Sequence, residues 1–131
     1  MITLNLLQLL QDNGFGTIDV DLFWNKLSLN KNGVFIVDIG QSQPRGNRRV
    51  QRYELYSRSK KSDVDGYQKL KAIADFLNNS AYSICDLPKC NLVKDNEAVH
   101  NVTIMPVSTP TNTGEDSQER IVWAISGNII Y

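Results

Sequence analysis

VQRYELYSRSKKSDVDGYQKLKAIADFL, residues Val50–Leu77, decides the fold of this chain. Val50, Arg52, Glu54, Tyr56 and Arg58 recur at period two, and Gln51, Tyr53, Leu55 and Ser57 alternate with them. That alternation predicts a strand with two different faces. The polar break Ser59-Lys60-Lys61-Ser62 follows. Then Val64, Tyr67, Leu70, Ile73, Ala74 and Leu77 fall at helical spacing, and Ser62 or Asp63 can cap a helix over 63–78. The result is one strand–helix unit with a basic corner.

The segments on either side extend the pattern. Residues 2–12 read as an amphipathic helix, with Ile2, Leu6, Leu9 and Leu10 on one face and Gln8, Gln11 and Asp12 opposite. Asn13-Gly14 ends it, because glycine accepts the left-handed backbone of a helix terminus. Residues 21–29 fit a short strand or an irregular loop equally. Val34–Ile39 is β-branched or aromatic apart from Asp38 and sits between Gly33 and Gly40, so it reads as a strand placed centrally. Gln41–Arg49 reads as a polar loop, with Pro44, Gly46 and Asn47 as breakers, at the tip of an extended hairpin. Tyr82–Cys85 reads as a brief strand, Leu87–Ala98 as a loop and His100–Val107 as a strand. Ser108–Ser117 reads as a flexible excursion. Glu119–Tyr131 closes the chain as a strand, with Ile121, Trp123, Ile125, Ile129 and Tyr131 sharing a face. Hairpin-linked strands interrupted by two helices predict an α+β fold. Its sheet is mixed and mostly antiparallel, with both helices packed on one face and one parallel pairing across helix 63–78.

A length of 131 residues and 41% hydrophobic content predict a single domain spanning 1–131 with one core. The formal net charge is zero, which gives no overall field to recruit nucleic acid or an acidic membrane. The zero conceals an asymmetry. Arg45, Arg48, Arg49, Arg52, Arg58, Lys60 and Lys61 stand against Glu54 alone, so residues 45–61 carry +6 and the remainder −6. The opening residues lack a basic n-region, and no apolar run reaches the ~20 residues a bilayer requires. The chain therefore reads as soluble and intracellular, without a membrane partner.

Chemistry is sparsely signalled. His100 has no nucleophile–base set around it. Cys85, Cys90 and His100 fall short of four zinc ligands, so the cysteines read as packing or loop thiols. Gly14-Phe15-Gly16 lacks the third glycine of a dinucleotide loop and follows a helix. The Asp-x-Asp pairs at 19/21 and 63/65 lack the glycine and distal glutamate of a calcium loop. No catalytic residue, cofactor site or metal site is assigned. Three readings of the basic run stand open: a solvated hairpin, a nucleic-acid surface in which Tyr53 and Tyr56 stack bases, or a charged subunit interface. For the interface, the acidic turn around Glu115, Asp116 and Glu119 is the candidate counterpart.

The arrangement resembles the tail terminator, or minor tail, proteins of long-tailed phages. The amphipathic helix Leu4–Asp12 carries the likeness first. The run Gln51–Arg58 leading into Asp65-Gly66-Tyr67-Gln68-Lys69-Leu70 and ending at Leu77 carries it next. The acidic turn 114–119 feeding Arg120-Ile121-Val122-Trp123 completes it. The resemblance implies a structural protein of the virion tail, assembled in the host cytoplasm, that needs no cofactor. It implies a ring, commonly of six copies, that caps the tail tube, stops its growth and presents the head-joining surface. The implied partners are further copies of itself, the tube protein and a head-completion protein. Were the hairpin tip to line the lumen, Arg45, Arg48 and Arg49 would meet passing DNA without reading its sequence. Another head–tail connector ring, or a nucleic-acid-binding module using residues 45–61, are the alternative readings.

Overall fold

The computed structural model describes residues 2–25, 31–60 and 64–131, with backbone alone at 42–45. Its elements are α1 (Ile2–Asp12), β1 (Leu22–Trp24), β2 (Gly33–Arg45), β3 (Arg48–Lys60) and α2 (Asp65–Asn79), then β4 (Ile84–Leu87), β5 (Val99–Ile104), β6 (Thr111–Glu115) and β7 (Arg120–Ile130). All seven strands join one curled sheet in the order β1-β2-β3-β7-β5-β4, and β6 pairs with the first half of β7. The fold is α+β, with a mixed, mostly antiparallel sheet. The parallel pairing joins β1 to β2, and it does not involve the strands around α2. β3 and β7 form the middle of the sheet. β2 lies one place from the edge, beside the three-residue β1, which corrects its central placement.

The hairpin is longer than its sequence implied. β2 and β3 have 13 residues each, and pairing continues through Gln41↔Gln51, Ser42↔Val50 and Arg45↔Arg48. Only Gly46 and Asn47 are left to turn the chain, and Gly46 adopts φ 63°, open to glycine at little cost. Polar side chains do not prevent strand pairing where they face solvent. Register shifts between Asp38 and Gly40 and between Ser42 and Arg45 absorb the breakers Gly40 and Pro44.

The core lies on the helix side. Tyr53 and Leu55 of β3 meet Val34 and Ile36 of β2 and Ile125 and Ile129 of β7, with Leu70, Ile73 and Leu77 of α2 above them. The stripe on α2 is the expected one, except that Val64 precedes the helix and stands 65% exposed. The expected caps Ser62 and Asp63 fall outside the described residues. Gly66 lets the first turn of α2 sit directly on β3: the Ser57 hydroxyl donates to its carbonyl at 2.9 Å, and a Cβ there would lie 2.5 Å from Ser59 Oγ.

α1 is buried more completely than an amphipathic stripe predicts. Thr3, Leu4, Asn5 and Gln8 are buried along with the apolar positions, so Gln8 does not face solvent. The curl of the sheet brings β1, β2 and β4 to α1, and the segment 88–98 closes over it. Asn5 Nδ2 donates to the carbonyls of Pro88 and Glu97, both at 2.8 Å, and Gln8 Oε1 accepts from the Asn91 amide at 3.3 Å. These bonds give the buried amides the partners their burial demands.

The last third differs in its boundaries. β4 begins two residues later than expected, and β5 ends at Ile104. The excursion 108–117 contains strand β6, all of it exposed, with Gly114 at a register shift.

Candidate assembly surface

Alternation along β3 places Arg52, Glu54, Tyr56, Arg58 and Lys60 on the face away from the helices. Register then fixes what surrounds them. Tyr56 lies between Phe35 and Ala124, Glu54 between Val37 and Ser126, and Val122 is opposite Arg58. A sheet covered on one side ordinarily turns polar side chains outward. Here the uncovered face has an apolar middle, half-buried at Phe35, Val37, Tyr56, Val122 and Ala124, with Ile39 42% exposed at the bulge. The Phe35 and Tyr56 rings stack at 5.0 Å and 14°. The Tyr56 hydroxyl donates to Glu54, and that bond, aided by burial, pushes its pKa up to about 12. Two adjoining hollows of about 330 and 240 Å³ lie on this face and share Glu54, Ser108 and Ser126. One reaches Arg52 and Asn128, the other Thr111 and Thr113.

The basic residues separate into surface and interior groups. Arg49, Arg52 and Lys60 are exposed. Arg48 is exposed too, but its guanidinium donates to the Asn101 carbonyl at 2.9 Å and to Thr103 Oγ1 at 3.4 Å, tying the hairpin to β5. Arg58 is withdrawn. Its side chain is 10% exposed, it donates to the Lys31 carbonyl at 2.6 Å, and its Nε lies 3.8 Å from the Asp116 carboxylate. The Arg45 side chain and Lys61 fall outside the described residues. Of the acidic turn, Glu115 and Glu119 are exposed, whereas Asp116 is held within its own chain. The structure therefore brings Arg58 and Asp116 together, and leaves Arg49 and Arg52 far along β3 from the acidic turn, which adjoins the Lys60 end.

Sequence reasoning missed Arg120. It is 6% exposed, and its guanidinium reaches Asp116 at 2.8 and 2.9 Å and the Lys31 carbonyl at 3.3 Å. Asp116 also accepts from the amides of Gln118 and Arg120, both at 3.0 Å. Loss of water raises the Asp116 pKa, but these donors outweigh that effect and hold the carboxyl below its usual range. Burial and the Arg120 charge lower the Arg58 pKa, and Asp116 opposes them. The Asp-x-x-x-Arg spacing at a turn was the available signal. Nothing local indicated that Arg58 would join it.

Both tyrosines are also accounted for. Tyr53 is 1% exposed on the helix side and Tyr56 is stacked on Phe35, so Tyr53 offers no ring to a base. Elsewhere, His100 Nδ1 lies 3.3 Å from Asp86 in an exposed pair, and Cys85 and Cys90 are free thiols. Among the described residues, no three His, Cys, Asp or Glu side chains group to hold a metal ion. No family model and no curated protein matches this chain.

Proposed function

We propose that this protein is a structural component of a phage tail. It works as the terminator ring that caps the tail tube and offers the surface to which the head is joined. Another connector ring of the head–tail junction is the nearest alternative. The observation that carries the reading is the uncovered sheet face: an apolar middle rimmed by Arg52 and Lys60, on a sheet whose other side already holds the whole helix layer. An apolar patch with a polar rim is the character of a protein-binding surface. Its basic rim gives direction to encounter and suppresses wrong partners. No described helix is long and apolar enough to cross a membrane.

A ring requires one patch to meet a different patch on the next copy. Among the described basic residues of 45–61, those exposed for such contact are Arg48, Arg49, Arg52 and Lys60. Arg58 and Asp116 serve the inside of the chain. The deciding experiment mixes the purified protein with assembling tail tubes and measures tube length. Tubes stopped at a uniform length support the reading, and tubes that grow without regard to the protein refute it. Arg49→Glu with Arg52→Glu is expected to fold normally and to abolish capping.

A further inference from the structure

We infer that the trough along β7 on the uncovered face is a saccharide site, which takes a short oligosaccharide with a carboxylated sugar at its Arg52 end. The inference goes beyond the ring reading and does not rest on it.

The trough follows from side-chain size. The outward residues of β7 run Val122, Ala124, Ser126 and Asn128. A strand in the middle of a sheet favours β-branched and aromatic residues. Here two small side chains, Ala124 and Ser126, stand at successive outward positions. Opposite them on β3 are the longer Arg52, Glu54 and Tyr56, paired with Asn128, Ser126 and Ala124. On the other side, residues 105–115 run along β7. The Met105 amide donates to the Asn128 carbonyl at 3.0 Å and the Ser108 amide to the Ser126 carbonyl at 3.2 Å, and the β6 pairing continues the run. The hollows of about 330 and 240 Å³ share Glu54, Ser108 and Ser126, so they form one continuous groove. From Asn128 to Ala124 it extends about 13 Å at the rise of a strand, the length of a few sugar rings. Phe35 and Val37 belong to β2 and lie across β3 from it.

The lining suits alcohols. A sugar hydroxyl both donates and accepts, and so requires partners of both kinds. Glu54 supplies an acceptor. The Tyr56 hydroxyl fixes that carboxylate and occupies one of its several lone-pair sites. Ser108 Oγ accepts from the Ser126 amide at 3.1 Å, which leaves its proton to donate. Tyr56 also lines the second hollow, and its ring, held by stacking on Phe35, gives the C–H groups of a sugar an aromatic surface. Arg52 and Asn128 are paired across the end of the groove, and neither side chain bonds another described residue. A guanidinium takes a carboxylate by two parallel bonds, which sets the acidic sugar at this end.

Other occupants fit less well. Glu54 stands beside Arg52 and repels the phosphates of a nucleic acid. An extended peptide gains no ladder here. β3 pairs with β2 and β7, and β7 pairs with β3 and with β5 and β6, so no strand edge is open along the groove.

Calorimetry and amide NMR spectra of the purified chain, titrated to millimolar concentration with maltotriose, chitotriose and trigalacturonate, test the site. Trigalacturonate is expected to bind most tightly and to shift the amides of β3, β7 and residues 106–113. Arg52→Ala is expected to weaken trigalacturonate about tenfold and to leave the neutral sugars unchanged. Ser126→Val fills the floor with a residue that strands favour and is expected to abolish binding. Circular dichroism and melting establish that both variants are folded. No binding of any of the three sugars, trigalacturonate no tighter than the neutral pair, or binding that either folded variant leaves at wild-type strength each overturn the inference. These readouts involve no tail tubes, so failure to bind sugar leaves the ring reading standing, and failure to cap tubes leaves the saccharide site standing.

Discussion

Asp116 shows how one side chain can hold three segments. Its carboxylate sits between Arg58 of β3 and Arg120 of β7, and both arginines continue to the Lys31 carbonyl before β2. Removing Asp116 leaves two withdrawn guanidiniums facing each other, while removing Arg120 leaves a matched pair. Asp116→Ala is therefore expected to lower the urea midpoint more than Arg120→Met. The opposite order in denaturation curves would contradict this account. The sign of the pH effect follows as well. Asp116 and Asp21 have folded pKa values below the unfolded value, in each case because hydrogen bonds and a neighbouring cation overcome the effect of burial. Their stabilisation is complete above the ordinary carboxylate value of about 3.9 and is lost as pH falls through the folded values. Melting temperature should drop below about pH 4, and Asp116→Asn should flatten that drop.

Tyr53 and Gly127 make a second local unit. The Tyr53 hydroxyl is buried with no hydrogen-bond partner among the described residues, and burial raises its pKa. The ring lies over Gly127, where an added Cβ would come within 2.5 Å of the hydroxyl and 2.8 Å of Val107. Gly127→Ala should cost about 1–3 kcal/mol by overpacking. Tyr53→Phe removes an unsatisfied buried group and should leave stability unchanged or raise it by up to about 1 kcal/mol. Chemical denaturation measures both.

Among the elements, α1 is the one whose environment differs most from its sequence signature. A stripe of Ile2, Leu6, Leu9 and Leu10 indicated a helix resting on a sheet. The curl of that sheet, with residues 88–98 folded over, buries Asn5 and Gln8 too. Periodicity reports only which residues of a helix are apolar. It does not report that a distant loop supplies carbonyls to its polar side. Asn5→Ala strands two carbonyls and should cost about 1–3 kcal/mol. Leu6→Ala, at a fully buried site, should cost about 2–5 kcal/mol. Equal, small losses for both would argue against α1 as the centre of the curl. The β2–β3 hairpin is the converse case. Its strand faces were legible from alternation, but its length was not, because Pro44, Gly46 and polar neighbours resemble a loop until register shows them paired.

For the molecule as a whole, both helices share one core with every strand from β1 to β7 except β6. Fluorescence of Trp24 and Trp123, at separate parts of that core, should therefore report the same unfolding midpoint. Distinct midpoints would mean that the α1 and α2 sides fold apart. The charge asymmetry also resolves at this level. Arg52 and Lys60 are exposed on the uncovered face of β3, Arg49 falls on the opposite alternation, and Arg58 is drawn into the chain by Asp116.

Local periodicity settled the α+β class, the two faces of β3 and β7, and the buried stripe of α2. Each of those depends on side-chain direction, which the backbone repeats every two or 3.6 residues. Which charges reach the surface was beyond its range. Arg52 and Arg58 share one alternation, yet Arg52 is exposed and Arg58 is withdrawn. The difference arises because Asp116 and Lys31, far away in the chain, fold back onto one of them and not the other.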